Sequence, residues 1–377
     1  MISTVVTYLA IIGVICWWGL IFVPWRPWGT EEQIDADPQF INNVLLDNIT
    51  VLIPARDEAP LIQQTLAALS QQGSGLRIIV IDDQSTDGTA EIVTQHGAKV
   101  ISGTTPPTGW SGKLWALEQG LHEVQTSHVL LLDADIELIP GIVPTLLEKA
   151  QKENLALVSL MAELPLQRCT ERMLMPAFIY FFKLLYPFSS SNNPKSRVAA
   201  AAGGCILIET QALKEIKAFT SIHDALIDDC TLASRVKKAG FRTWLGLTHS
   251  ARSRRGYNEL KPIWDMVART AYTQLNYSPA LLFVCTLLMV SMFWAAPFAF
   301  LVISNAKITI LSLMTWIAML LTYSPTLIYY RRSLLWGLSL PIIGTLYLAM
   351  TWTSARRYWQ GERASWKDRR YESNTQH

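Results

Sequence analysis

The chain has 377 residues, half of them hydrophobic and only 16% charged, against about 25% charged in an average soluble protein, so part of it is expected in lipid. A net charge of +2 and the lack of a basic, aromatic-interleaved stretch argue against a nucleic-acid partner. Cys16, Cys169, Cys205, Cys230 and Cys285 are odd in number with no Cys-x-x-Cys pair, which suits a reducing compartment and argues against a zinc cage.

No Asp, Glu, Lys or Arg occurs from Met1 to Trp25, Thr270 to Ala306, Ile308 to Tyr330, or Ser333 to Ala355. Each window exceeds the ~20 residues that a membrane helix needs. Residues 3–24 read as a retained anchor, because a basic start and a small-residue cleavage site are both missing. Arg26 and an Arg-rich region follow, so the positive-inside rule puts the N-terminus outside and residues 26–275 in the cytoplasm. The expected organisation is an anchor over 1–25, a soluble domain over 45–265, spans over 278–355 and a basic tail over 356–377.

Strand and helix patterns alternate after the anchor. ITVLIPA (49–55) predicts a strand, 59–71 a helix, RIIVID (77–82) a strand, and 87–96 a helix closed by Gly97. A strand over 98–101, a Gly/Pro/Thr loop, a helix over about 112–124 and the run VLLL follow. Strands separated by helices imply a mostly parallel sheet, in which functional groups gather at the carboxyl ends of the strands. PARDE, DDQSTD and DAD all fall there. A second block over 155–265 holds LALVSLM (155–161), PAFIYFFKLLYPF (176–188), AAAAGGCILIE (199–209) and a helix over 227–240 with Gly240 as its stop. Residues 172–188 read as a helix lying on the membrane surface, with a buried core helix as the alternative.

Three acidic groups stand out. Asp82 and Asp83 end a buried strand; Ser85, Thr86 and Asp87 suit a turn and helix cap, but two adjacent acids want a ligand, such as a nucleobase N–H and ribose hydroxyls. In DAD, strand alternation would turn Asp133 and Asp135 to one side, where with phosphate oxygens they suit Mg2+ or Mn2+. Asp228 and Asp229 open a helix, where one acid can cap it and one can take a proton from a hydroxyl. Lys113 near a helix N-terminus opposes the dipole, which an anionic ligand would relieve.

IPARDE, IDDQSTD, LLDADIE, GGC and the IDD-initiated helix together resemble the family 2 nucleotide-sugar glycosyltransferases of GT-A fold. GWSGKLWALEQG (109–120), VARTAYTQLNYSP (267–279) and GERASWKDRRY (361–371) resemble, more narrowly, the hopene-associated glycosyltransferases. The resemblance implies an α/β, Rossmann-like GT-A domain between N- and C-terminal transmembrane helices, with inverting, metal-dependent chemistry. It implies Pro54, Arg56 and Glu58 at the base, Asp82 and Asp83 on uracil and ribose, Lys113 on the nucleotide, and Asp133 on ribose or metal. It also implies Asp135 on the metal, Gly203, Gly204 and Cys205 at the acceptor, and Asp229 as base with Asp228 beside it. The family's Gln/Arg-x-x-Arg-Trp motif is reduced to Arg269, which would stabilise the diphosphate. Without that tryptophan, a platform for a growing glycan is in doubt.

The expected partners are a nucleotide-sugar donor and a lipid acceptor, hopanoid or related, at a bacterial-type inner membrane with the catalytic domain cytoplasmic. A processive polysaccharide synthase and a non-catalytic nucleotide-binding membrane scaffold are the alternatives. The tail arginines and lysine belong inside, and Pro341 and Gly344 would permit a re-entrant hairpin that returns the tail there.

Overall fold

The protein is represented by a computed structural model that describes every residue except 1, 41–43, 258, 304, 363–364, 367–368 and 371–377. In chain order the elements begin with α1 (Ile2–Phe22), β1 (Ile49–Ala55), α2 (Ala59–Leu69), β2 (Arg77–Asp82), α3 (Thr89–Gln95) and β3 (Lys99–Ser102). Next come α4 (Gly112–Leu121), β4 (His128–Leu132), β5 (Ile136–Leu138), α5 (Ile142–Glu153), β6 (Leu157–Glu163), α6 (Cys169–Leu185) and α7 (Phe188–Asn192). Then follow β7 (Cys205–Glu209), α8 (Thr210–Glu215), α9 (Asp228–Lys238), β8 (Thr243–Ser253) and α10 (Leu260–Ala268). The last helices are α11 (Pro279–Val290), α12 (Ala296–Val302), α13 (Ala306–Tyr329) and α14 (Leu340–Trp359), before a short antiparallel pair at 365–366 and 369–370.

The chain divides into two units, one of Glu32–Pro165, Ser190–Gly256 and the C-terminal segment, the other of Met1–Glu31, Leu166–Ser189 and Tyr257–Arg363. In the first, eight strands among the described residues form one sheet in the order β3-β2-β1-β4-β7-β6-β8-β5. β3, β2, β1 and β4 run parallel, β7 runs against β4 and β6, and β5 runs against β8. Every residue of β1 is buried. Val51 and Ile53 join one core with Ile62, Leu66 and Leu69 of α2, while Leu52 joins the other with Leu114 and Leu117 of α4. Leu130 and Val129 of β4 divide in the same way. Helices on both faces therefore explain the unbroken apolar runs. β8, with Thr248 and Ser250 buried in it, is a strand that the hydropathy pattern does not predict; both hydroxyls donate to Asp35 Oδ1, at 2.9 and 3.0 Å.

Among the described residues, the second unit holds four stretches apolar and long enough to cross a membrane, Thr4–Phe22, Pro279–Leu301, Ala306–Tyr329 and Leu334–Trp359. A Cβ on Gly13 of α1 would lie 2.1 Å from the Ser291 carbonyl oxygen, so glycine permits close approach to the π-helical turn Ser291–Ala295. Trp17 Nε1 donates to Met292 O at 2.8 Å across the same contact. α6 packs on the later helices through Tyr180, whose hydroxyl bonds Thr322 of α13 at 3.0 Å, and through Leu174, whose carbonyl accepts from Tyr347 of α14 at 2.9 Å.

The expected re-entrant hairpin is not there. α14 is unbroken: Pro341 sits in its first turn, where its missing N–H costs nothing, and Gly344 lies against the Phe293 ring. Of the basic tail over 356–377, residues 363–364, 367–368 and 371–377 lie outside the described residues.

Candidate functional site

β1, β2 and β4 deliver their carboxyl ends to one edge of the sheet. Asp57 and Gln84, just past β1 and β2, hold left-handed backbone at φ 50° and 59°, a conformation that non-glycine residues keep only under local constraint. The constraint is visible. Asp57 N donates to Ser85 Oγ at 2.9 Å, Thr86 N donates to Asp57 Oδ1 at 2.8 Å, and Ala59 N donates to Asp87 Oδ2 at 2.9 Å. Ser85, Thr86 and Asp87 thus serve the turn and the helix starts, as expected. Asp82 and Asp83 are both buried, and Arg56 Nη1 donates to the Asp83 carbonyl at 2.8 Å. Asp82 Oδ1 is buried with no hydrogen-bond partner among the described residues, a costly state that a hydroxyl or N–H donor would relieve.

Lys113 sits in the first turn of α4, which Ser111 caps by accepting from Leu114 N at 3.2 Å. Its Nζ lies 2.8 Å from Asp133 Oδ1 and 3.8 Å from Asp228 Oδ2. Burial works against the Lys113 charge, but Asp133, Asp228 and Asp229 outweigh it and raise its pKa. Burial also lifts the Asp133 carboxyl, against the pull of Lys113. Asp229 Oδ2 accepts from Gly203 N at 2.8 Å and Oδ1 from Cys230 N at 2.7 Å. Burial, then the Asp228 charge, push the Asp229 carboxyl up to about 6. The residue that caps α9 is Ile227, so neither acid caps the helix; both occupy its first turn, favoured by the dipole.

One cavity collects Pro54, Lys113, Asp133, Gly203, Asp228 and Asp229 over a floor of leucines. The other expected residues lie elsewhere. Gly204 carries the carbonyl that accepts from Asp133 N at 3.1 Å, and Cys205 is fully buried in β7 with the core. Glu58 does not stand open; Arg255 Nη2 donates to its two oxygens at 2.6 and 2.7 Å. Arg269 follows α10 in the other unit.

The strand argument for DAD fails, because β4 ends at Leu132 and the two acids lie in the turn before β5. Asp133 turns to Lys113, whereas Asp135 turns to the end of β8. There Ser253 Oγ donates to Asp135 Oδ2 at 2.8 Å, with Arg255 Nε 3.6 Å from the same oxygen. No group of three or more His, Cys, Asp or Glu forms a closed metal cage among the described residues. The oxygen donors available fit a hard divalent ion that draws its remaining ligands from phosphates and water. Ser253 and Arg255 escape sequence reasoning; the signal was Arg252, Arg254 and Arg255 crowded into four positions at a strand end.

Residues 50–217 match the family model described as "Glycosyl transferase family 2". They are a family 2 glycosyl transferase domain. The 4,4'-diaponeurosporenoate glycosyltransferase of Staphylococcus haemolyticus (strain JCSC1435) is 41% identical over 93 residues, 24% of this chain and 25% of that protein. Its counterpart from Staphylococcus aureus (strain bovine RF122 / ET3-1) is 33% identical over 109 residues, 28% of this chain and 29% of that protein. The chain thus spans a quarter to under a third of the length of these relatives. A solved mannosyltransferase from Pyrobaculum calidifontis, in complex with GDP-Man and Mn2+, superposes with a TM-score of 0.57 at 18% identity, covering 95% of this chain and 100% of that one. At that identity the likeness establishes the GT-A fold of the family 2 domain.

Proposed function

We propose that this protein moves a sugar, with inversion, from a nucleotide-diphosphate donor, expected to be UDP-linked, to a hydroxyl of a membrane lipid. The observation that carries the reading is the single cavity in which Asp229, Asp228, Lys113 and Asp133 meet at the carboxyl ends of the parallel strands. Asp82, Asp83, Arg56 and Pro54 hold the nucleoside, and the orphaned Asp82 oxygen takes one of its donors. When bound, Mg2+ or Mn2+ at Asp135, with Asp133 nearby, supplies positive charge to the diphosphate. Asp229 accepts the acceptor's proton as the new C1–O bond forms and the C1–O bond to the diphosphate breaks. Its raised pKa suits a base that works near neutrality. Lys113 holds Asp133 in place and keeps positive charge beside the leaving group.

The lipid acceptor is supported by the relatives' name, a glycosyltransferase of 4,4'-diaponeurosporenoate, and by the four apolar stretches. The domain arrangement follows as part of the proposal: an anchor over 1–25, a cytoplasmic catalytic region over 45–265 and spans over 278–355 in an inner membrane. A hopanoid is the finer reading of the acceptor. The purified full-length chain is to be incubated with UDP-sugars, Mn2+ and bacterial lipid extract, with and without EDTA, and its lipids weighed by mass spectrometry. One sugar added to a lipid, lost with EDTA, is expected. A polymer ladder would favour a processive synthase, and no metal-dependent turnover of any sugar nucleotide would favour the scaffold.

A further inference from the structure

β8 passes the carboxylates as it leaves the sheet. Its Ser253 hydroxyl and the Arg254 N–H, both at 2.8 Å, fix the Asp135 side chain and carbonyl respectively. Arg255 then reaches back, bound to both oxygens of buried Glu58 and 3.6 Å from Asp135 Oδ2. Two carboxylates that are far apart in sequence, Glu58 and Asp135, share one guanidinium. A divalent ion at Asp135 would meet that positive charge at close range.

We propose that Arg255 is the resident counter-cation of Asp135, which a divalent ion has to displace and which then pairs with the donor's diphosphate. The inference rests on the metal-dependent reading above. A guanidinium presents a planar fork of donors that suits phosphate oxygens, and Arg255 is partly exposed, so it has room to turn. Without nucleotide, ion and arginine compete for one carboxylate. With a diphosphate present, both find negative charge and the competition ends. Metal and nucleotide are thereby coupled through Arg255, and the coupling must be reciprocal.

The test follows Mn2+ binding to the full-length protein in detergent at fixed ionic strength, by the electron paramagnetic resonance of free Mn2+, with and without UDP. Arg255→Gln is expected to bind Mn2+ alone at least about tenfold more tightly than the wild type, because a unit positive charge a few ångströms from a divalent ion opposes it by more than that even at the dielectric of water. It should gain much less from added UDP than the wild type does. Arg255→Lys, which keeps the charge without the fork, should tighten Mn2+ binding by no more than about threefold; it also carries the test if the Gln variant does not fold. Equal or weaker Mn2+ affinity without UDP in the Gln variant, or, if only the Lys variant folds, a gain from added UDP as large as the wild type's in that variant, overturns the inference while leaving the glycosyltransferase reading intact. Failure of the wild type to take up Mn2+ even with UDP overturns both.

Discussion

Replacing Asp229 with Asn tests the base directly. The side chain keeps its size, but it loses the charge that accepts the proton and can accept from only one of Gly203 N and Cys230 N. Loss of a general base costs about 10²- to 10⁴-fold in rate, and kcat for sugar transfer should fall in that range with little change in donor KM. The wild-type rate should rise with pH through about 6, where Asp229 loses its proton, and then level; the variant should lack that limb. The same group bears on stability with the opposite sense. A carboxyl raised from 3.8 to about 6 favours the folded state when protonated, and that contribution is lost as pH rises through about 6. The shift caps the cost of the charge at about 3 kcal/mol at neutral pH, and partial exposure and the lost hydrogen bond cut the net gain of the variant to about 1 kcal/mol. Thermal unfolding should show the variant slightly more stable than wild type at pH 7.5 and no more stable at pH 4. Activity within tenfold of wild type, or a wild-type rate that is flat between pH 5 and 7, would refute the assignment.

Lys113→Met removes the positive charge that holds the Asp229 carboxyl down, so the inflection in the pH–rate profile should move up by about one unit. An unmoved inflection would show that the lysine does not act on the base. Gly203→Ala places a Cβ 3.4 Å from both Lys113 Nζ and Asp229 Oδ2, an ordinary contact for the fold that fills the space between them. Transfer should fall about tenfold with the melting temperature unchanged. Gln72 is buried and donates to the carbonyls of Leu138 and Ile139 while accepting from Val143 N. Gln72→Ala strands those groups and should cost about 2–3 kcal/mol, read from denaturant unfolding, with kcat of the folded fraction unaffected.

The first half of the sheet was legible because β1, β2 and β4 are buried on both faces and so carry apolar runs with turn residues at their ends. β1 and β2 fall at the boundaries the runs predict. β8 was not legible, because the groups that make it a strand lie far away. Its buried Thr248 and Ser250 are satisfied by Asp35, 213 and 215 positions distant, and no local pattern reports that. The acidic corners could be located, but the orientation of their side chains could not. Asp133 and Asp135 sit in a turn, where alternation does not apply, and each faces a different base. Cys205 next to the Gly-Gly pair was misplaced for a similar reason: β7 begins there and turns its side chain into the core.

That partition changes what the acids mean. Met by itself, a run of apolar residues ending in two aspartates calls for a cation to make burial tolerable. In the folded chain two cations are already present: Lys113 holds Asp133 and approaches Asp228, and Arg255 holds Glu58 and approaches Asp135. Both come from segments outside the acidic motifs, one at a helix start and one at a strand end. These two ion pairs offset the buried acids without a divalent ion, so on the proposed reading the metal belongs to the loaded site rather than to the stability of the domain. It follows that EDTA should abolish transfer and leave the melting temperature where it was. A large EDTA-induced drop in that temperature would show that the ion, and not the two bases, offsets the buried charge.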